Sequence, residues 1–120
     1  MKKENSTNNQ NDSLIKEKCP MMYAMEQING RWKILLLWYI NLGATRFGKL
    51  RQSIPNITTK MLSQQLKELE RDGLITRTIF AEMPPRVEYA LTEKTKHLTP
   101  ILEQLNAWGK NEKEKAMEKL

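Results

Sequence analysis

Apolar residues recur along this chain in blocks whose spacing changes from helical to extended and back again. Met21, Met22, Met25 and Ile28 follow Pro20 at helical spacing, which predicts a short first helix beginning after that proline. Gly30 separates it from Arg31–Leu42 (RWKILLLWYINL), which is apolar nearly all round. Such a segment predicts the helix at the centre of the core, stopped by Gly43 as a C-cap. Thr45 is placed to cap a third helix over Arg46–Ser53 with Phe47 and Leu50 inward, and Pro55-Asn56 then forces a turn. Thr58 is a favourable N-cap for a fourth helix that runs to about Asp72 and ends at Gly73.

The spacing then shortens. Leu74–Ala81 and Arg86–Leu91 read as strands, with Val87, Tyr89 and Leu91 alternating inward. Met83-Pro84-Pro85 cannot be sheet interior and forms the hairpin tip. Helical spacing returns near Thr92, with Leu98, Ile101, Leu102, Leu105 and Trp108, and Pro100 should kink or restart this helix. Residues 1–13 have no apolar period and predict a disordered tail. The expected architecture over 14–120 is one mainly α domain with a small β-hairpin, a winged helix-turn-helix. Its helix-turn-helix core spans 46–72, its wing 74–91 and its C-terminal helix 93–119.

Charge sharpens this picture. Of the net +6, residues 31–90 carry +5, with ten Lys/Arg against five acids. A basic excess concentrated on one module suggests a polyanionic partner, double-stranded DNA foremost. On the fourth helix Met61, Leu62, Leu66 and Leu69 share one arc, while Lys60, Ser63, Gln64, Lys67 and Arg71 share the opposite one. Gln64 suits adenine, Ser63 can serve more than one base, and Lys60 and Lys67 can meet phosphate or guanine. Thr58 and Thr59, at the positive end of the helix, suit a phosphate. The competing reading is a solvated face with Lys67 and Arg71 beside Glu68 and Glu70. The phase of Gln65 puts it inside the apolar arc.

Arg86, beside the proline tip, suits a narrow minor groove, or else pairs with Glu82 or Glu88. Arg46 and Lys49 are phosphate candidates, and Arg77 is a weaker one. Arg31 is as well placed to cap or pair within the fold. His97 is a lone surface residue on the last helix.

A single cysteine, Cys19, excludes an intrachain disulfide and any multi-cysteine metal site. No metal or other cofactor is expected. The sequence holds no glycine-rich phosphate loop and no evident nucleophile–base pair, which argues against an enzyme. The polar N-terminus is unlike a signal peptide, and Ile34–Ile40 is too short to span a bilayer, so the expected compartment is the cytoplasm. Cys19 precedes Pro20 at a helix start, with Lys16 and Lys18 close in sequence, and both circumstances favour the reactive thiolate. The alternative is a small buried hydrophobe. With no second cysteine, oxidation or electrophiles would give a Cys19–Cys19 bridge between subunits, a mixed disulfide or an S-alkyl product. A second route to regulation is a small apolar ligand lodged among Trp32, Trp38, Tyr39 and Trp108.

The motifs resemble, in order, those of the HxlR family of bacterial transcriptional regulators, winged helix-turn-helix proteins similar in shape to MarR regulators. They are Cys19-Pro20, Gly30-Arg31-Trp32, Arg46-Phe47-Gly48-Lys49-Leu50 and Ile54-Pro55-Asn56-Ile57. Met61 to Glu70, Asp72-Gly73-Leu74-Ile75, Pro84 to Tyr89, Leu91-Thr92 and Trp108-Gly109 complete the set. Thr95 departs from the pattern, since the family usually has glycine there. The resemblance implies a homodimer joined through its terminal helices, here Met22, Met25, Leu98, Ile101, Leu102, Leu105 and Trp108. It also implies a pseudo-palindromic operator, mostly repressor activity, and in some members electrophile or oxidant sensing at the Cys-Pro position. The leading alternative is a winged helix used only for protein–protein contact. RNA is disfavoured because no exposed aromatic platform is evident.

Overall fold

The computed structural model describes residues 16–120, so the predicted tail over 1–13 lies outside the described residues. The chain divides into two units, Met1–Arg31 and Trp32–Leu120. In the first, α1 spans Pro20–Gln27. Cys19 is its N-cap, with extended backbone, and Pro20 occupies the first turn, where a missing N–H costs no hydrogen bond. The Tyr23 amide donates to the Cys19 carbonyl at 3.1 Å, and Lys18 pairs with Glu26 at 2.7 Å. None of the α1 residues is buried; Met21, Met22, Tyr23 and Met25 are all exposed.

The second unit is built around α2, Lys33–Asn41. Leu36, Leu37 and Ile40 are buried, as the apolar run predicted, and the helix packs against α3 (Phe47–Ser53), α4 (Thr59–Arg71), β2 (Arg86–Leu91) and α6 (Thr99–Glu118). Leu50, Ile54, Ile57, Leu62, Leu66, Leu69, Ile75, Tyr89 and Leu102 complete the core around it. Two glycines end the helices that set the geometry. Gly43 (φ +106°) and Gly73 (φ +74°) take the left-handed conformation, which costs glycine no side-chain clash. After α4 the Gly73 amide donates to the Glu70 carbonyl and the Leu74 amide to that of Leu69, a Schellman closure. Gly43 and Ala44 repeat the pattern on Ile40 and Tyr39.

β1, Ile75–Phe80, pairs antiparallel with β2, from Ile75 opposite Leu91 to Phe80 opposite Arg86. Tyr89 is buried on β2, with Val87 and Leu91 half-buried on the same side. The tip at Met83-Pro84-Pro85 is exposed, as predicted.

Several local expectations are corrected. Thr45 does not cap α3: Arg46 is the N-cap residue, and Thr45 turns to the wing. Its hydroxyl donates to Glu88 at 3.2 Å, and its carbonyl accepts from the Tyr89 amide at 2.8 Å. The helix expected over 93–119 is two helices, a short α5 (Glu93–Lys96) and the long α6, with Pro100 in the first turn of α6. Proline thus restarts the helix rather than kinking it. Phe47 is only half-buried and Met61 is 37% exposed, so the inward arc of α4 is Leu62, Leu66 and Leu69. Gln65 sits half-buried at the margin of that arc.

α5 is held by Thr92, Lys94 and Thr95. Thr95 is 2% exposed, and its hydroxyl donates to the Leu74 carbonyl at 2.7 Å. The Thr92 hydroxyl donates to the Gly73 carbonyl at 2.8 Å, and Lys94 Nζ donates to the Asp72 carbonyl at 3.0 Å. Three side chains at the start of α5 thereby satisfy the carbonyls of Asp72, Gly73 and Leu74, the segment that leads out of α4.

Candidate nucleic-acid interface

α4 is fixed at both ends before its outer face is considered. The Thr58 hydroxyl accepts the Met61 amide at 3.1 Å, as the sequence predicted, and the Schellman closure and α5 hold the other end. Burial of Leu62, Leu66 and Leu69 sets the rotation of the helix about its axis. Thr59, Lys60, Ser63, Gln64, Lys67, Glu68 and Arg71 then line one open surface. Every outer-face residue predicted on α4 is therefore on one face, with Thr59 at its N-terminal end; Thr58, the cap, is exposed beside it.

Ser63 and Lys67 also line a cleft of about 340 Å³ with Phe47, Leu66, Glu70, Arg77 and Tyr89. That cleft joins the wing to α4 through Arg77, which the sequence ranked low. Arg46 and Lys49 are exposed at the start of α3 and line neither surface.

Two acids modify the expected charge. Lys33 on α2, with a side chain only 11% exposed, donates to Glu68 at 3.1 Å. That hydrogen bond is the main reason the Glu68 carboxyl lies below its ordinary range. Arg71 is engaged by Asp72 through Nε at 3.0 Å and Nη2 at 3.3 Å. The Arg71 hydrogen bond holds the Asp72 carboxyl below its usual range, and Asp72 in turn raises Arg71. So the cations of the face with no carboxylate pairing in the structure are Lys60 and Lys67. Neither the Lys33–Glu68 pair nor the Arg71–Asp72 pair was foreseen. A single cation interrupting an apolar helix was the available signal for the first.

Arg86 lies 3.3 Å from Glu82 and 3.2 Å from Glu88, with its guanidinium over the Phe80 ring at 4.1 Å. The Glu88 contact is an ion pair without the alignment of a hydrogen bond, since Nε has no hydrogen-bond partner. These distances occupy the cross-hairpin pairing that competed with a minor-groove role.

Outside this face, Cys19 is exposed and unbridged, which removes the buried-hydrophobe reading. Lys18 is committed to Glu26, and Lys16 is exposed. The four aromatics expected around an apolar ligand do not converge. Trp32 is buried in the core and Trp108 is 64% exposed. Only Trp38 of the four lines the apolar cleft between α2 and α6, about 140 Å³, with Ile34, Leu35, Leu102, Leu105 and Asn106. Ile101, Leu105 and Trp108 form an exposed stripe on α6, whereas Leu102, expected at the dimer interface, is 3% exposed and belongs to the subunit's own core. Leu98 is half-buried and His97 is exposed. Among the described residues no cluster of His, Cys, Asp or Glu could hold a metal ion, and no helix is long and apolar enough to cross a membrane.

The comparisons with known proteins agree with this geometry. Residues 27–117 match the family model of the HxlR-like helix-turn-helix. An HTH-type transcriptional regulator of Methanothermobacter thermautotrophicus is 48% identical over 92 residues, covering 77% of this chain and 70% of that protein. The HTH-type regulator YybR of Bacillus subtilis is 40% identical over 99 residues, 82% of this chain and 79% of YybR. Among solved structures, the redox regulator HypR superposes in both of its forms. The oxidized form has a TM-score of 0.72 and 41% identity, over 78% of this chain and 96% of HypR. The reduced form has a TM-score of 0.74 and 37% identity, over 83% of this chain and 99% of HypR.

Proposed function

This chain belongs to the HxlR-like helix-turn-helix family, and from that premise and the α4 face we propose that it is a repressor that binds a pseudo-palindromic operator as a homodimer under thiol control. It is a transcriptional regulator with a helix-turn-helix DNA-binding fold. The observation that carries the finer reading is the single open face of Thr59, Lys60, Ser63, Gln64 and Lys67 on a helix anchored at both ends. Such a face combines phosphate-binding cations with side chains able to hydrogen-bond base edges, and its rigid mounting keeps the ordering cost low. In this reading Lys60, Lys67, Thr58 and Thr59 grip phosphates, with Arg46, Lys49 and Arg77 flanking. Gln64 and Ser63 read bases. Arg71 and Arg86 reach DNA by exchanging their carboxylate partners for phosphate.

The exposed stripe Ile101, Leu105 and Trp108 on α6 is an apolar surface a partner subunit covers; Met22 and Met25, exposed on α1, are the apolar side chains the first unit offers to a partner. Two recognition helices then enter successive major grooves, with half-sites roughly 10 bp apart or a multiple of that. Cys19 is the control point. Its thiol is exposed, and two of the solved structures similar to this chain are the oxidized and reduced forms of a redox regulator. Two-electron oxidation, with diamide's N=N bond taking up the two electrons and two thiol protons to become a hydrazine, joins two Cys19 thiols in an inter-subunit bridge or Cys19 and a small thiol in a mixed disulfide; an electrophile instead replaces the thiol proton to give an S-alkyl adduct.

The test is fluorescence anisotropy of duplex from upstream of the protein's own gene, against a scrambled duplex, with reduced and diamide-treated protein. Specific binding that diamide abolishes in the wild type and spares in Cys19→Ser is the expected result. Specific binding indifferent to diamide removes the thiol control and keeps the DNA role. Failure on every duplex, including those of a genome-wide selection, leaves a winged helix used for protein contact.

A further inference from the structure

Glu68 is an acid on a face otherwise suited to phosphate, and its surroundings explain how it can be tolerated there. It lines the α4 surface together with Gln64, one turn earlier, and Lys67. Residues four apart on a helix are neighbours, so the Gln64 amide and the Glu68 carboxylate share one patch. From beneath, Lys33 of the core helix α2 reaches Glu68 at 3.1 Å, with side-chain exposures of 11% and 25%. Lys33 thus neutralises the acid and restricts its rotamer from inside the fold.

An ionised carboxylate can only accept hydrogen bonds. A glutamine amide that pairs with it does so through its NH₂ group. That arrangement leaves the second N–H and the carbonyl oxygen of the amide facing outward. Those two groups are the donor and the acceptor that adenine requires at N7 and N6. Lys33 foremost, and Gln64 after it, hold the Glu68 carboxyl below its ordinary range.

We propose that Lys33, Glu68 and Gln64 form a relay in which Glu68 is a positioning residue, fixing the Gln64 amide in the orientation that reads adenine. The proposal rests on the DNA-binding reading above and deepens it by naming what confers base preference. The α4 face thereby acquires a specificity element anchored in the core rather than on the surface.

The experiment is selection from a randomised duplex pool with the full-length wild type, Gln64→Ala, Glu68→Gln and the double variant, followed by anisotropy on the wild-type-selected duplex. Glu68→Gln keeps the volume and helix preference but can both donate and accept, so it no longer dictates the amide's orientation. Expected is a loss of about tenfold in adenine preference at one base-pair column, the same column that Gln64→Ala relaxes, with the other columns unchanged. The double variant should lose no more than either single one, the signature of coupled residues. Circular dichroism melting of each variant establishes that the fold is retained. Lys33→Met gives a second probe: by leaving the carboxylate without its partner, it should weaken binding to every duplex, and adding Glu68→Gln should restore that general affinity without restoring the column.

A Glu68→Gln protein that keeps the column within about twofold overturns the relay while leaving DNA binding intact. Gln64→Ala relaxing no column overturns it equally. A wild type that selects no sequence at all refutes the DNA-binding reading and the relay together.

Discussion

Thr95→Val isolates the contribution of one buried hydroxyl to the joint between the wing, α4 and the C-terminal helices. The two side chains have nearly the same shape, so the change removes the hydroxyl without opening a cavity. What is lost is the 2.7 Å hydrogen bond to the Leu74 carbonyl at a site 2% exposed. The carbonyl is not orphaned, because the Thr92 amide also donates to it at 3.2 Å. Thr92 is also not stranded, since its hydroxyl keeps the Gly73 carbonyl at 2.8 Å. The expected cost is therefore that of one ordinary buried hydrogen bond, about 1 kcal/mol, rather than the larger penalty of an unsatisfied group. For a chain of this length that corresponds to a fall in Tm of about 3–6 °C.

Thr95→Gly should cost about 2 kcal/mol. It loses the same bond, removes buried side-chain volume and places a flexible residue within α5. The assay is thermal melting by circular dichroism at one fixed protein concentration under reducing conditions, so that any self-association or thiol oxidation contributes equally to every variant. A Thr95→Val protein that melts within about 1 °C of the wild type refutes the claim that this hydroxyl secures α5. Equal losses in the valine and glycine variants would assign the whole effect to the hydroxyl and none to volume.

Other expectations are as direct. Lys67→Ala should weaken binding to specific and scrambled duplexes alike and reduce the salt slope by about 1, whereas Gln64→Ala should narrow the gap between them; two unaffected proteins would mean the wrong face has been assigned. Leu105→Glu or Trp108→Glu should convert a dimer into a monomer by light scattering, and an unchanged mass would rule out the α6 stripe as the interface. Asp72 has a folded-state pKa below its unfolded value, so its contribution is whole at neutral pH and is lost as the pH falls through and below the carboxylate range. Asp72→Asn should accordingly flatten the acid limb of stability, measured as Tm against pH; an identical limb in the variant would show that the Arg71 pair contributes nothing.

The amino-acid order alone determined the succession of elements, because each is written in local terms. Helical spacing in Arg31–Leu42, the N-cap at Thr58, the stop at Gly73 and the alternation of Val87, Tyr89 and Leu91 depend on neighbours within a turn or a strand. The outward arc of α4 was legible for the same reason: a 100° step per residue and three buried leucines fix which side chains face away. The proline at position 100 was informative but ambiguous, since a kink and a restart use the same residue.

Only the tertiary structure decided who partners whom. Thr45 has the chemistry of a cap, yet it is taken by Glu88 and the Tyr89 amide, 43 and 44 residues away. Lys33 reads as a lone cation in an apolar helix until α4 packs over α2 and brings Glu68, 35 residues on, to meet it. Arg86 had two readings, and the packing of Phe80, Glu82 and Glu88 around it fills one of them. Leu102 and Leu105 sit on one helix at similar hydrophobicity, yet contact with α2 buries the first and leaves the second 49% exposed. Local backbone preference and periodicity act over a few residues and survive in the sequence; pairing of charges and choice of buried face depend on distant segments meeting, which periodicity does not encode.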